Sequence, residues 1–126
     1  MVCGGTGLAP CMSMLRRMAE WGETQEALLI LGVNTSDEVF AEDALAALRS
    51  ALPSLRTVVT VVRPDDAWTG SVGTAVDALD AELSARTPGS EAPDIYLSGP
   101  PAFLQAAQTC AAAQGVPGDQ IYEERI

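Results

Sequence analysis

Histidine is absent from the 126 residues of this chain. Its absence excludes the Ser-His and Cys-His pairs that activate nucleophiles, and it excludes the usual zinc ligand sets. Cysteine is scarce, with only Cys3, Cys11 and Cys110 in the sequence. These three residues form no CxxC pair, and they do not supply the four thiolates that an iron–sulfur cluster needs. We therefore expect buried thiols and no metal site in this chain, and a hydrolase is disfavoured.

Basic residues are also few, seven against seventeen acidic ones, which gives a formal net charge of −10. Such a charge repels nucleic acid and anionic lipid, so we expect neither as a partner. No apolar run reaches the roughly 18 residues of a membrane span, and the first residues lack the basic start and apolar segment of a signal peptide. These features predict a cytoplasmic protein whose acidic surface is solvated or, alternatively, contacts a basic partner.

What the chain does contain is an alternation of strand and helix patterns along its whole length. Residues 27–33 form an uninterrupted apolar run, which is typical of a parallel strand covered on both faces. The alternation predicts one domain over residues 1–126, with a doubly wound α/β fold around a five-stranded parallel sheet. The other strands are expected at 1–3, 57–62, 94–98 and 120–123, and the helices at 8–21, 40–52, 72–83 and 101–114.

The first predicted strand is truncated. Only Met1, Val2 and Cys3 precede the glycines, whereas strands usually run about five or six residues. A turn-rich loop is expected from Pro64 to Gly73, and the spacing of Val72, Val76, Leu79 and Leu83 marks the third helix.

Three segments fall at the carboxyl ends of predicted strands, where open parallel sheets bind ligands. They are residues 4–10, 34–40 and 98–101. In the first segment, Gly5, Gly7 and Pro10 have the spacing G-x-G-x-x-P, a dinucleotide fingerprint whose last glycine is replaced. A tight strand-to-helix turn gives the same pattern, so both interpretations stand for the spacing alone.

The second segment follows the strand whose end normally meets the adenosine ribose. Asp37 or Glu38 would accept hydrogen bonds from the 2′-hydroxyl, and no Lys or Arg lies between Arg17 and Arg49 to neutralise a 2′-phosphate. The segment therefore predicts a preference for NADH over NADPH. For Asp37, capping of the following helix is an equal alternative.

Five motifs in order carry a family resemblance. The stretches GGTGLAP, LGVNTSDEVF, TVVRPDDAWTGSVGTAVDAL, DIYLSGPPAFL and GVPGDQIYEERI resemble the NAD-binding domain of the ferredoxin–NADP reductase superfamily. Among its branches, the chain is most similar to the reductase component, component C, of soluble methane monooxygenase and of related diiron monooxygenases. The resemblance covers nearly the whole chain and favours the nucleotide interpretation of the glycines.

The resemblance also implies roles for particular residues. Ser98 and Glu124 are expected to act beside the nicotinamide and the flavin, although most relatives have cysteine at the position of Ser98 and many have an aromatic residue at that of Ile126. Trp68 has two alternative roles, a cover over the site or an anchor that fixes its loop on the sheet. The residues expected to bind NADH are Gly5, Thr6, Gly7, Leu8, Pro10, Asn34, Asp37, Glu38, Phe40, Gly99, Pro100 and Pro101.

The function implied is that of an electron-transfer oxidoreductase. In a complete protein, NADH would give a hydride to FAD on a flavin domain, and a ferredoxin domain with a [2Fe-2S] cluster would pass electrons to a monooxygenase hydroxylase. Neither of those domains is found in this chain, so we expect the isolated chain to be inactive. The alternative is a non-catalytic module that binds the nucleotide and regulates a partner.

Overall fold

Long β-branched and apolar runs form the middle of the sheet, as the sequence predicts. In the computed structural model, which describes residues 1–4, 7–39 and 42–125, all neighbouring strands are parallel. The described strands are β1 (Val2–Gly4), β2 (Ala27–Thr35), β3 (Leu55–Arg63), β4 (Ser71–Val72), β5 (Ile95–Gly99) and β6 (Ile121–Arg125). They lie side by side in the order β4-β3-β2-β1-β5-β6.

In the described residues, four α-helices connect the strands and cover both faces of the sheet. They are α1 (Leu8–Glu20), α2 (Glu42–Ala51), α3 (Ala75–Ser84) and α4 (Pro101–Ala113). Successive side chains of a strand point to opposite faces, so the core forms two layers. Cys3 and Leu31 pack with Leu15 of α1 and Leu45 of α2, while the opposite face of the sheet packs against α3 and α4. The predicted doubly wound α/β fold is confirmed.

The predicted number of strands is five, whereas the described part of the chain has six. The additional strand is β4, whose two residues are both exposed and pair with Thr60 and Val61 of β3. Val72 was expected to begin the third helix because it lies four residues before Val76. The helix begins instead at Ala75, because Thr74 caps it: the Asp77 N–H donates to Thr74 Oγ1 at 3.0 Å, and the Thr74 N–H donates to Asp77 Oδ2 at 2.9 Å.

The short first strand forms and occupies the centre of the sheet. Val2 pairs with Ile30 of β2 on one side and with Leu97 of β5 on the other. From β1 the chain builds the sheet outward through β2, β3 and β4, and it then returns to add β5 and β6 on the other side. The strand order therefore reverses between β1 and β5, and the carboxyl ends of these two strands define the place where a doubly wound fold binds its ligand.

Candidate functional site

The reversal point brings Gly7 and Ser98 into close contact. Gly7 follows β1 and is the N-cap residue of α1, and its φ of −72° is open to any residue. A Cβ atom built on Gly7 would nevertheless collide with the backbone carbonyl of Ser98, lying 2.7 Å from the carbonyl carbon and 3.1 Å from Ser98 Oγ. Glycine is thus required here by close approach of two backbones, as expected of a nucleotide-binding turn.

Ser98 carries the only buried side-chain oxygen or nitrogen without a hydrogen-bond partner among the described residues. The residue is 2% exposed and sits near the carboxyl end of β5. Leaving a buried hydroxyl unpaired costs about 1–3 kcal/mol, and such an atom in a native fold calls for an explanation. A ligand that supplies a donor or acceptor at this place would remove the cost.

Glu124 lies in the same row as Ser98. Ser98 pairs with Cys3 of β1 on one side and with Glu124 of β6 on the other, and paired residues of parallel strands point to the same face. The row formed by Cys3, Ser98 and Glu124 faces α1. Glu124 is close enough to Cys11, in the first turns of that helix, to interact with it electrostatically. The structure therefore brings Gly7, Ser98 and Glu124 together, although 117 positions separate the first from the last.

The two helices that begin at the site have open N-termini. Gly7 and Pro100, the N-cap residues of α1 and α4, provide no side-chain cap, and neither helix has an acidic residue in its first turn. By contrast, α3 has its Thr74–Asp77 capping box, and α2 has Glu42 and Asp43 in its first turn. Among the described residues, no side chain caps the first N–H groups of α1, so these groups are available to an anion such as a pyrophosphate.

The turn after β2 is acidic and firmly held. The Thr35 N–H and hydroxyl donate to Glu38 Oε1 at 3.2 and 3.0 Å, which caps a 3-10 turn over Ser36–Glu38. Asp37 is not the cap of α2, which begins five residues later, so its alternative role is wrong. The Asp37 side chain is exposed, so its carboxylate is open to a ligand.

No Lys or Arg lies between Arg17 and Arg49 in the sequence, but the structure places a cation from a later strand near this turn. Arg63, at the end of β3, pairs with Thr35 at the end of β2. Asp65 lies two residues after Arg63, and its backbone N–H donates to Ser36 Oγ at 3.0 Å. This hydrogen bond fixes the loop after β3 against the turn. The pairing of the two strand ends, rather than any spacing in the sequence, is what reveals Arg63.

The remaining predicted residues divide into three groups. Asn34 is exposed at the end of β2, and Pro100 and Pro101 are exposed at the start of α4, beside the buried Gly99. Leu8 is 3% exposed in the core, so only its backbone can meet a ligand, and Pro10 lies in the first turn of α1. Gly5, Thr6 and Phe40 lie outside the residues that the structure describes, as does Ile126.

Trp68 and the cysteines do not take part in this site. The Trp68 indole N–H donates to the Ser71 carbonyl at 2.9 Å and its ring packs partly on the core, which supports the role of loop anchor. Cys3 and Cys11 are buried, as expected, whereas Cys110 on α4 is only partly buried, so the expectation is wrong for that residue. The Cys3 thiol donates to the Ile30 carbonyl at 3.6 Å. Burial raises the pKa of the Cys3 thiol, which is therefore protonated at neutral pH.

Comparison with known proteins agrees with this geometry. Residues 1–109 match the model of the oxidoreductase NAD-binding domain. This chain belongs to that family. The resemblance to ferredoxin reductases inferred from the motifs is therefore confirmed, and the family's name gives NAD as the ligand of such a domain.

Individual members of the oxidoreductase NAD-binding domain family span much longer chains. The reductase component of propane 2-monooxygenase from Rhodococcus jostii is 29% identical over 98% of this chain and 34% of its own length. Methane monooxygenase component C from Methylosinus trichosporium is 38% identical over 65% of this chain and 24% of its own length. The cytochrome b5 reductase domain of Ulva prolifera nitrate reductase has a TM-score of 0.79 at 27% identity, over 98% of this chain and 47% of that one. This chain spans about a third of the length of the curated relatives it matches.

In residues 1–4, 7–39 and 42–125, no helix has the length and apolar character needed to cross a bilayer. The same residues contain no group of three or more potential metal ligands.

Proposed function

We propose that this chain is the NADH-binding domain of a flavin-dependent electron-transfer reductase. The observation that carries the proposal is the meeting of Gly7 with Ser98 at the reversal of strand order, beside the open N-terminus of α1. The unpaired hydroxyl and the glycine that admits no Cβ fit a nucleotide that lies across the ends of β1 and β5. When bound, NADH supplies the hydride, and the protein supplies binding and orientation.

Each part of the site has a distinct role in this proposal. The glycine turn and the first N–H groups of α1 bind the pyrophosphate, and Gly99, Pro100 and Pro101 shape the nicotinamide pocket. The Ser98 hydroxyl, which has no partner among the described residues, gains one from the nucleotide. Asn34, Asp37 and Glu38 contact the adenosine end, and the exposed carboxylate of Glu124 approaches the flavin of a neighbouring domain.

The sequence relatives extend the proposal to the whole protein. Their names describe reductase and electron-transfer components of monooxygenases and dioxygenases, and each is about three times as long as this chain. We infer that residues 1–126 act with an FAD domain and a [2Fe-2S] ferredoxin domain of the same protein, and that a monooxygenase hydroxylase accepts the electrons. A cytoplasmic location belongs to the same proposal.

Two measurements test the proposal in order. Titration calorimetry on the chain should show one NADH site, with Ser98→Ala weakening the binding more than Ser71→Ala, a change in exposed β4 that leaves the site intact. The chain fused to a relative's flavin domain should then reduce the flavin on addition of NADH, followed by the loss of flavin absorbance. Absence of NADH binding contradicts the nucleotide site, whereas binding without flavin reduction would favour the non-catalytic regulatory module.

A further inference from the structure

A single hydroxyl joins two segments at the carboxyl-terminal ends of the strands. Ser36 lies in the 3-10 turn after β2, and Asp65 lies in the loop between β3 and β4. The Asp65 N–H donates to Ser36 Oγ at 3.0 Å, across 29 positions of the sequence. Among the hydrogen bonds of the described residues, no other one joins this turn to this loop. The Ser36 hydroxyl therefore fixes where the loop lies relative to the turn.

The turn that carries Ser36 is itself well held. The Thr35 N–H and hydroxyl both donate to the Glu38 carboxylate, and the Val39 N–H donates to the Ser36 carbonyl at 3.2 Å. Val39 packs against the core layer that contains residues of α1 and α2, and Thr35 is the last residue of β2. Ser36 is therefore a fixed point against which a neighbouring segment can be placed.

The loop after β3 depends on this fixed point at one of its ends. The Ala67 N–H donates to Asp65 Oδ1 at 3.1 Å and the Trp68 N–H donates to the Asp65 carbonyl at 3.2 Å, so residues 65–68 form one compact turn. Trp68 anchors the far end of this turn, because its ring packs on the core. Ser36 anchors the near end. Loss of the Ser36 hydroxyl would thus release the near end while the far end stays in place.

Acidic side chains meet where the hydroxyl joins the two segments. Each segment carries two exposed carboxylates, those of Asp37, Glu38, Asp65 and Asp66. Arg63 precedes the loop, and the pairing of β3 with β2 holds its backbone level with Thr35. The position of Arg63 therefore depends on the sheet, whereas the position of the loop carboxylates depends on the Ser36 hydroxyl.

We propose that Ser36 is a positioning residue that sets the discrimination between NADH and NADPH, because it holds the carboxylates of the β3–β4 loop beside the turn after β2. The inference rests on the proposed function, since it concerns the adenosine ribose that the end of β2 meets in this fold. NADPH differs from NADH by a 2′-phosphate, and fixed carboxylates near that phosphate oppose its binding. Without the hydroxyl, Asp65 and Asp66 move away from the ribose while Arg63 remains, so the repulsion falls.

The ratio of the two dissociation constants separates this role from simple support of the fold. A hydrogen bond that only stabilises the loop would affect NADH and NADPH equally, and the ratio would not change. Calorimetry should show that the Kd for NADPH divided by the Kd for NADH falls by about three-fold or more in Ser36→Ala. Ser36→Thr keeps the hydroxyl and should keep the ratio. Ser50→Ala is the matched control, since the Ser50 hydroxyl bonds only to the Ala46 carbonyl of its own helix.

Two further measurements connect the ratio to the hydrogen bond. Exchange of the Asp65 amide hydrogen should become faster in Ser36→Ala and stay unchanged in Ser36→Thr and Ser50→Ala. Asp65→Asn removes a charge but keeps the backbone N–H and the Oδ1 acceptor for the Ala67 N–H, so it should lower the ratio in the parent chain. In the Ser36→Ala background the same change should have a smaller effect, because the carboxylate has already moved away.

The outcomes separate this inference from the proposed function. A parent chain that binds neither nucleotide would overturn both. NADH binding with the same ratio in Ser36→Ala as in the parent would overturn the role of Ser36 and leave the nucleotide site intact. Unchanged exchange of the Asp65 amide in Ser36→Ala, or fully additive effects of Ser36→Ala and Asp65→Asn on the ratio, would also overturn it, since the hydroxyl would then not place the carboxylate.

Discussion

Replacing Gly7 with alanine tests the close contact on which the site depends. The new Cβ would lie 2.7 Å from the Ser98 carbonyl carbon, and the obstacle is backbone, so the turn or β5 must move. Overpacking of this kind typically costs about 1–3 kcal/mol. An unfolding entropy of about 2.1 cal/mol/K per residue gives about 0.26 kcal/mol/K for 126 residues, so the melting temperature should fall by about 4–11 °C.

Gly4→Ala is the matched control, because a Cβ on Gly4 meets no atom within 4 Å in the part of the chain that the structure describes. This variant should melt at or slightly above the temperature of the parent chain, since alanine restricts the unfolded state more than glycine does. Thermal denaturation followed by circular dichroism measures both variants, and NADH titration should show binding weakened at least ten-fold by Gly7→Ala alone. Equal melting temperatures for the two variants would refute the claim that Gly7 and Ser98 are in contact.

Three further predictions concern the nucleotide, the amino terminus and Ser98. The carboxylates of Asp37, Glu38, Asp65 and Asp66 outnumber the cation Arg63, so NADH should bind at least ten-fold more tightly than NADPH. Arg63→Gln should weaken NADPH binding further. Calorimetry that gives equal affinities for NADH and NADPH would contradict this prediction. Burial lowers the pKa of the Met1 amine from its usual 8.0, so the unfolded chain binds more protons below pH 8 and stability falls as pH falls. N-terminal acetylation should therefore raise the melting temperature more at pH 6 than at pH 9. Equal rises at the two pH values would exclude the Met1 amine as a cause of the pH dependence. Ser98→Cys in a fusion with a flavin domain should speed flavin reduction by NADH in stopped-flow experiments, because a thiol packs beside the nicotinamide without requiring a hydrogen bond. The Kd for NADH should stay within about three-fold. An unchanged or slower rate would remove Ser98 from the reaction.

The fold was predictable because its signals are local. The apolar run of β2 and the helical spacing of α1 each contain enough residues to show their period. Strand β4 was missed because two exposed residues have no period, and its pairing with Thr60 and Val61 depends on contacts across the sheet. The start of α3 was placed too early for a related reason, since the Thr74–Asp77 capping box overrides the apolar spacing from Val72.

The site was predictable only in outline. The topology of a parallel sheet groups the ends of β1, β2 and β5 at one edge, and this grouping follows from the order of the strand patterns alone. The contact of Gly7 with Ser98 depends on two backbones 91 positions apart meeting at atomic distance. The lack of a partner for the Ser98 hydroxyl among the described residues depends on the same packing. The position of Arg63 beside the acidic turn likewise depends on the register of β2 against β3.

The most direct test of the proposed function is to map NADH binding onto the chain by following backbone amide shifts in NMR spectra. If the nucleotide binds at the reversal point, saturable shifts should appear at Gly7, Leu8, Asn34 and Gly99, at the carboxyl-terminal ends of the strands. No shifts should appear at Leu28 and Tyr96, which line a cavity at the amino-terminal ends of β2 and β5. Shifts confined to that cavity, or no saturable shift at all, would contradict the claim that the reversal point between β1 and β5 binds the nucleotide.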